Sequence, residues 1–328
     1  MLPKGIRMTA LKPAPGNPLD PAKFRDPFLT AAGDRRARVA LTGLRTLWFN
    51  TGTLCNLACE NCYIESSPKN DRLVYLSHAE VVAYLDEIAR DGLPTTEIAF
   101  TGGEPFMNPA LCAMLDTVLK RGFTALVLTN AMRPMMKCAE PLLALRDAHG
   151  DRLCLRVSLD HFDGALHELV RGRRSWRPAL DGLKWLSDNG FHIHVASRSC
   201  WHEPEETMRE GFAALFAREG IAIDTADPVR LTIFPEMDAR LDVPEITEQC
   251  WDILGIAPDA MMCATSRMVV KRKGEDRPVV MPCTLIPYDK NFEMGHTLAD
   301  ASGSVALNHP HCARFCVLGG GACSRNAD

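Results

Sequence analysis

The chain has 328 residues, 46% of them hydrophobic, with 37 basic against 41 acidic side chains for a formal net charge of -4. That length suffices for one large α/β domain with a well-buried core plus a smaller appended module, and the near-balance of charge argues against nucleic acid as the main partner. No apolar run is long enough to span a membrane, and the proline-broken start lacks the apolar stretch of a secretory signal, so we place the protein in the cytoplasm. Thirteen cysteines, an odd number in a reducing compartment, do not form a disulfide framework.

Residues 1–44, with prolines at 3, 13, 15, 18, 21 and 27, read as an extended arm that packs over the rest of the chain; a disordered tail is the alternative. From there strand and helix patterns alternate. Apolar, β-rich runs fall at 45–51, 97–101, 124–129, 153–159, 191–197 and 229–234. SHAEVVAYLDEIARDG opens on a capping box, Ser77 with Glu80, and closes at Gly92. NPALCAMLDTVLKRG predicts a helix with Asn108 as N-cap and Pro109 in its first turn, and PALDGLKWLSDNG closes on Gly190. Six β-then-α units imply a parallel sheet in a partial (βα)6 barrel, with functional loops at the carboxyl ends of the strands.

Two such loops carry chemistry. CNLACENC, residues 55–62, sets Cys55, Cys59 and Cys62 at a C-x3-C-x2-C spacing, one thiolate short of a closed zinc site or a fully ligated cubane. TEIAFTGGEP, one strand later, runs into Gly102, Gly103 and Glu104: a sharp turn that lets backbone approach a ligand, followed by an acceptor for an ammonium group. VSLD ends another strand with Asp160, a candidate to face substrate as a catalytic carboxylate; a loop-capping role is the alternative. His192 and His194 share one face of the fifth strand, where satisfied structural histidines are the ordinary outcome, and Arg198 ends that strand. Cys154, like the other scattered single cysteines, reads as a small core residue.

CNLACENC followed by TGGEP resembles the radical S-adenosylmethionine superfamily, and the likeness runs to about residue 235 through LTNA, VSLD and LVRG. The resemblance implies that Cys55, Cys59 and Cys62 hold three irons of a 4Fe-4S cluster and leave the fourth open, and that Gly102, Gly103 and Glu104 bind the amino group of S-adenosylmethionine. Ser158 and Arg171 become candidates for its carboxylate or ribose. It further implies an enzyme that reductively cleaves S-adenosylmethionine, takes its electron from a donor such as flavodoxin or ferredoxin, and abstracts hydrogen from a bound substrate.

Past residue 235, Cys263 and Cys283 flank a β-hairpin with the charged tip KRKGEDR, and HPHCARFCVLGGGAC adds Cys312, Cys316 and Cys323. A hairpin with a cysteine-rich tail is similar to the SPASM and twitch extensions of the superfamily, though with five cysteines where seven are usual. It implies one auxiliary 4Fe-4S cluster on Cys263, Cys283 and two of the last three cysteines; a zinc ribbon using His309 or His311 is the alternative. The expected organisation is an arm over 1–44, a core over 45–235 and an auxiliary module over 236–328. Substrates in resembling families are often ribosomally made peptides, which makes a peptide or peptide-derived substrate the leading expectation. The arm is too short and proline-rich for a leader-binding winged helix, so a small metabolite remains the rival. A non-catalytic Fe-S electron relay, or a zinc-binding protein, is the alternative from another class.

Overall fold

The structure, a computed structural model, describes residues 16–201, 203–235 and 237–321. Its strands are β1 (Arg38–Val39), β2 (Thr46–Asn50), β3 (Glu97–Thr101), β4 (Thr124–Thr129), β5 (Leu153–Ser158), β6 (His192–Arg198), β7 (Leu231–Phe234), β8 (Ser266–Val270), β9 (Val279–Met281) and β10 (Val305–Ala306). The main helices are α1 (His78–Asp91), α2 (Leu111–Lys120), α3 (Arg133–Met136), α4 (Ala139–His149), α5 (Gly164–Arg171), α6 (Trp176–Asp188) and α7 (Glu205–Glu219). Strands β2 to β7 pair in parallel and in chain order, as six βα units predict, so the architecture is a partial barrel. Among the described residues no helix is long and apolar enough to cross a membrane.

Alternation along the strands separates two cores. Leu47 and Phe49 of β2, Leu153, Leu155 and Val157 of β5 and Ile193 of β6 point outward and pack with helix residues such as Val81, Leu85, Met114 and Leu183. Trp48 of β2, Ala99 of β3 and Leu126 of β4 point inward and pack with Met268, Met281, Leu307, Phe315 and Val317 from the C-terminal third of the chain. The lumen is thus filled by residues far away in sequence.

Helix α1 starts as its sequence dictates. Ser77 Oγ accepts from Glu80 N at 3.2 Å while Glu80 Oε2 accepts from Ser77 N at 2.8 Å, a capping box of the kind that stabilises a helix by about 1 kcal/mol. Gly92 ends it at φ 58°. Helix α2 begins later than its sequence predicts, at Leu111, with Ala110 as its N-cap. Asn108 closes the turn ahead of it, its Oδ1 accepting from Ala110 N at 2.9 Å, while its amide donates to Leu76 O at 2.9 Å and Thr51 O at 3.3 Å.

The predicted hairpin forms as β8 and β9, but it is continuous with the barrel. β8 pairs in parallel with β2, giving one eight-stranded sheet in the order β7-β6-β5-β4-β3-β2-β8-β9. The described part of the arm is pinned to the C-terminal third. β1 pairs with β10, Lys23 Nζ lies 2.8 Å from Asp242, and the buried Arg36 reaches Glu245 at 2.5 Å. Residues 1–15 of the expected arm lie outside the described residues.

Candidate active site

The loop after β2 carries the cysteine triplet, and its shape is set by the chain around it. Cys55 N donates to Ser67 O at 3.1 Å and Glu60 N to Val170 O at 2.8 Å, while Tyr288 OH donates to Ile64 O. Cys55, Cys59 and Cys62 open into one cavity at the carboxyl ends of the strands. Gly102 and Gly103 share its wall, for a packing reason as much as a ligand reason. A Cβ on Gly102, at φ 140°, would meet Gly52 O at 2.5 Å, and one on Gly103 would meet Leu54 O at 2.2 Å. Only glycine lets this turn lie against the stem of the cysteine loop, and the bond from Gly103 N to Gly52 O at 2.8 Å fastens the two together.

Glu104 turns the other way. It is 2% exposed, is not among the cavity's lining residues, and accepts from Thr129 Oγ1 at 2.8 Å, Asn130 N at 2.8 Å and Phe106 N at 3.3 Å. Burial pushes its carboxyl up to about 7, against the opposing pull of those donors. A carboxyl raised in the folded state binds a proton that the unfolded chain has already lost, so its contribution to stability falls as pH rises from about 4.5 through 7. Glu104→Ala is expected to cost about 1–3 kcal/mol by stranding buried N–H groups. The penalty shrinks toward alkaline pH and leaves the iron content unchanged, as urea melts at pH 5.5 and 8 with iron analysis would check.

Ser158, Asp160, Arg171 and Arg198 line the same cavity. Asp160 does not present a free carboxylate. Arg171 Nε and Nη2 donate to its two oxygens at 2.8 and 3.2 Å, and Arg198 Nη2 and Nε at 3.1 and 3.3 Å. Although burial opposes ionisation, the two guanidiniums hold the Asp160 carboxyl well below the usual range, the opposite of what a proton acceptor needs. Asp160 therefore anchors two arginines, and Arg198 in turn donates to the carbonyls of Asn61 and Glu60 in the cysteine loop at 3.3 and 3.5 Å. Further wall residues carry no role in the sequence reading, among them Asn130, Leu285 and Phe315. Asn130 sits 3.9 Å from Cys55 Sγ, and Leu285 and Phe315 come from the C-terminal third. No local signal marks the last two, because long-range folding brings them there.

The donor set fits the implied cluster. Burial pushes the Cys55 thiol up to about 12 and raises Cys59, while Arg171 beside Cys59 pulls the other way. Such thiols ionise when a metal takes the lone pair. Cys263, Cys283 and Cys312 are buried in the second, lumenal core, with Cys316 packed against it from a π-helical turn, Cys312–Val317. Burial also pushes Cys312 up to about 12 and Cys263 to about 11. Cys323 lies outside the described residues. Among the described residues, no three ligand atoms within either cysteine set, His309 and His311 included, lie within 4.8 Å of one another. A tetrahedral zinc ion requires closer sulfurs, about 3.8 Å apart, whereas a cubane spreads its thiolates over several irons.

A parallel partial barrel with a three-cysteine loop at its carboxyl end defines a class of iron-sulfur proteins. Residues 49–210 match the family model of the Radical SAM superfamily, and the chain carries a radical SAM domain, whose cofactors are a 4Fe-4S cluster and S-adenosylmethionine. The antilisterial bacteriocin subtilosin biosynthesis protein AlbA of Bacillus subtilis is 29% identical over 78% of this chain and 58% of its own length. Mycofactocin maturase MftC of Mycolicibacterium smegmatis is 28% identical over 52% of this chain and 41% of its own. This chain therefore spans roughly half the length of the curated relatives it matches. Streptococcus suis SuiB, solved with S-adenosylmethionine, shares the fold at a TM-score of 0.56 and 11% identity, over 77% of this chain and 63% of that one. It has also been solved with its precursor peptide SuiA.

Proposed function

We propose that this chain is a radical SAM enzyme that matures a ribosomally made peptide or a product derived from one. The observation that carries the reading is one cavity lined by Cys55, Cys59, Cys62, the Gly102-Gly103 turn, Ser158 and Arg171. When bound, the cluster and S-adenosylmethionine supply one-electron cleavage of a C–S bond and hydrogen abstraction from substrate. The three thiolates would hold the cluster, a protein ligand set one short of the four that close a cubane. Backbone groups of the glycine turn and the Ser158 hydroxyl line the binding side of S-adenosylmethionine. Two of the five N–H donors of Arg171 go to Asp160, which fixes the guanidinium plane and leaves the others to face a carboxylate or ribose. Glu104 shapes the turn from below. Tyr63, Phe234, Leu285 and Phe315 form the apolar part of the wall and exclude water from the reacting groups.

The second cysteine cluster holds one auxiliary 4Fe-4S cluster on Cys263, Cys283 and two of Cys312, Cys316 and Cys323, in a region beginning near residue 236 that follows the core over 45–235. A flavodoxin or ferredoxin donates the electron, in the cytoplasm. A peptide substrate is favoured by AlbA, named for bacteriocin biosynthesis, and by SuiB, whose partner is a precursor peptide.

Anaerobically reconstituted protein mixed with S-adenosylmethionine and dithionite is expected to release 5′-deoxyadenosine. No release with clusters intact would sink the enzyme reading in favour of an electron relay. Release stimulated by a small metabolite, and not by peptides, would move the substrate class.

A further inference from the structure

On the inward face of β5, four residues before Ser158, lies Cys154, paired across the sheet with His192 at the start of β6. His194, two residues on, shares that face. At about 3.3 Å per residue this point is roughly 13 Å down the lumen from Ser158, toward the amino ends of the strands. One ligand atom from each of Cys154, His192 and His194 lies within 4.8 Å of the other two. The two Nε2 atoms are 3.2 Å apart, close to the roughly 3.3–3.4 Å that a tetrahedral zinc ion with Zn–N bonds near 2.0–2.1 Å imposes.

The trio can direct three electron pairs to one point. Nδ1 of His192 lies 3.0 Å from the carbonyl of Asp151, so it is the donor and Nε2 carries a lone pair. If Nε2 of His194 donates to that lone pair, its own Nδ1 is a bare acceptor, and Nδ1 of His194 is buried with no hydrogen-bond partner. In the other tautomer two lone pairs face each other. In that tautomer the two lone pairs and the Cys154 sulfur face one point, which a cation can occupy in place of the thiol proton. The carbonyl behind His192 is the kind of outer partner that fixes the tautomer of a metal-ligating imidazole. Burial also pushes the His194 imidazole down to about 3, keeping it in the neutral form that binds metal. The charged groups around the trio are Arg156, Arg230, Glu97 and Asp227, two of each sign. One thiolate then offsets half the charge of a divalent ion, and His192 is only half-buried.

We propose that Cys154, His192 and His194 bind a single zinc ion at the amino end of the barrel lumen, separate from both iron sites. A thiolate with two imidazoles is a donor set that suits zinc. This inference does not rest on the proposed peptide chemistry.

The test uses protein with its iron sites filled, so that the other cysteines are occupied, purified free of loose metal. Elemental analysis is expected to find about one zinc per chain, and Co²⁺ added to zinc-stripped protein should give saturable thiolate charge-transfer and tetrahedral d–d bands. Cys154→Ser and His192→Ala should each remove the zinc and change the Co²⁺ bands while iron content stays constant. His192 is only half-buried, so its variant is the one expected to keep the parent circular dichroism if the Cys154 variant unfolds. Zinc at background with no saturable Co²⁺ band would overturn the proposal and leave a histidine pair sharing one hydrogen bond. Zinc that survives both substitutions would overturn it equally.

Discussion

Replacing Cys55, Cys59 or Cys62 by Ala is expected to abolish release of 5′-deoxyadenosine and to lower iron by about four atoms per chain, one cluster's worth. Each thiol is one of only three in the loop, and no neighbouring Cys, His or carboxylate ligand atom forms a tight group with them among the described residues. The fold should survive, because the loop is held by backbone bonds from Cys55, Glu60 and Gly103 and not by the thiols themselves. The triple variant should retain about four irons and four sulfides on the C-terminal cysteines, since the two sets share no ligand. Mössbauer spectra with iron and sulfide analysis would check this. Full activity in any single variant would contradict the assignment of the triplet, and zinc in place of the residual iron would convert the second site to a structural one.

Asp160→Asn is expected to be the most destabilising single change in the cavity wall. The carboxylate side chain is 2% exposed and its partners Arg171 and Arg198 are 14% and 16% exposed, so solvent screens the triad little. Removing the one negative charge leaves two guanidiniums facing each other in a nearly dry site, a loss of about 3–5 kcal/mol. Because the folded-state carboxyl is held below its ordinary value, its stabilisation is fully present above the unfolded pKa, near 3.9, and is lost as pH falls through the lower folded value. The gap between parent and variant should therefore be constant at neutral pH and narrow only in strong acid. Urea melts at pH 7 and near pH 3 would measure it. Iron retention should weaken as well, since Arg198 ties the triad to the carbonyls of Glu60 and Asn61. A change below about 1 kcal/mol at pH 7, the scale of an exposed pair, would show that the triad does not carry the wall.

Features encoded within a few residues were legible in the linear chain. The Ser77–Glu80 capping box, the strand at Glu97–Thr101 and the one at Thr124–Thr129 follow from local hydrogen bonding and alternation, and the structure repeats them residue for residue. The spacing of Cys55, Cys59 and Cys62 is a signal of the same local kind, since all three sit on one loop. Where a side chain had a choice between a local and a distant partner, tertiary contact decided. Glu104 turned from the cavity to the Thr129 hydroxyl and the amides of Phe106 and Asn130.

By itself, then, the sequence determined the order of βα units, the carboxyl-end position of the cysteine loop and the presence of a hairpin with cysteines on either side. Only the tertiary structure decided that the hairpin extends the barrel sheet through β2, that Leu285 and Phe315 close the cavity, that Asp160 clamps Arg171 and Arg198, and that Cys154 faces His192 and His194. The physical reason is the range of the interactions. Caps, turns and strand alternation are fixed by neighbours a few positions apart, whereas strand register and lumen packing join residues tens to hundreds of positions apart, and no spacing along the chain records which of them will meet.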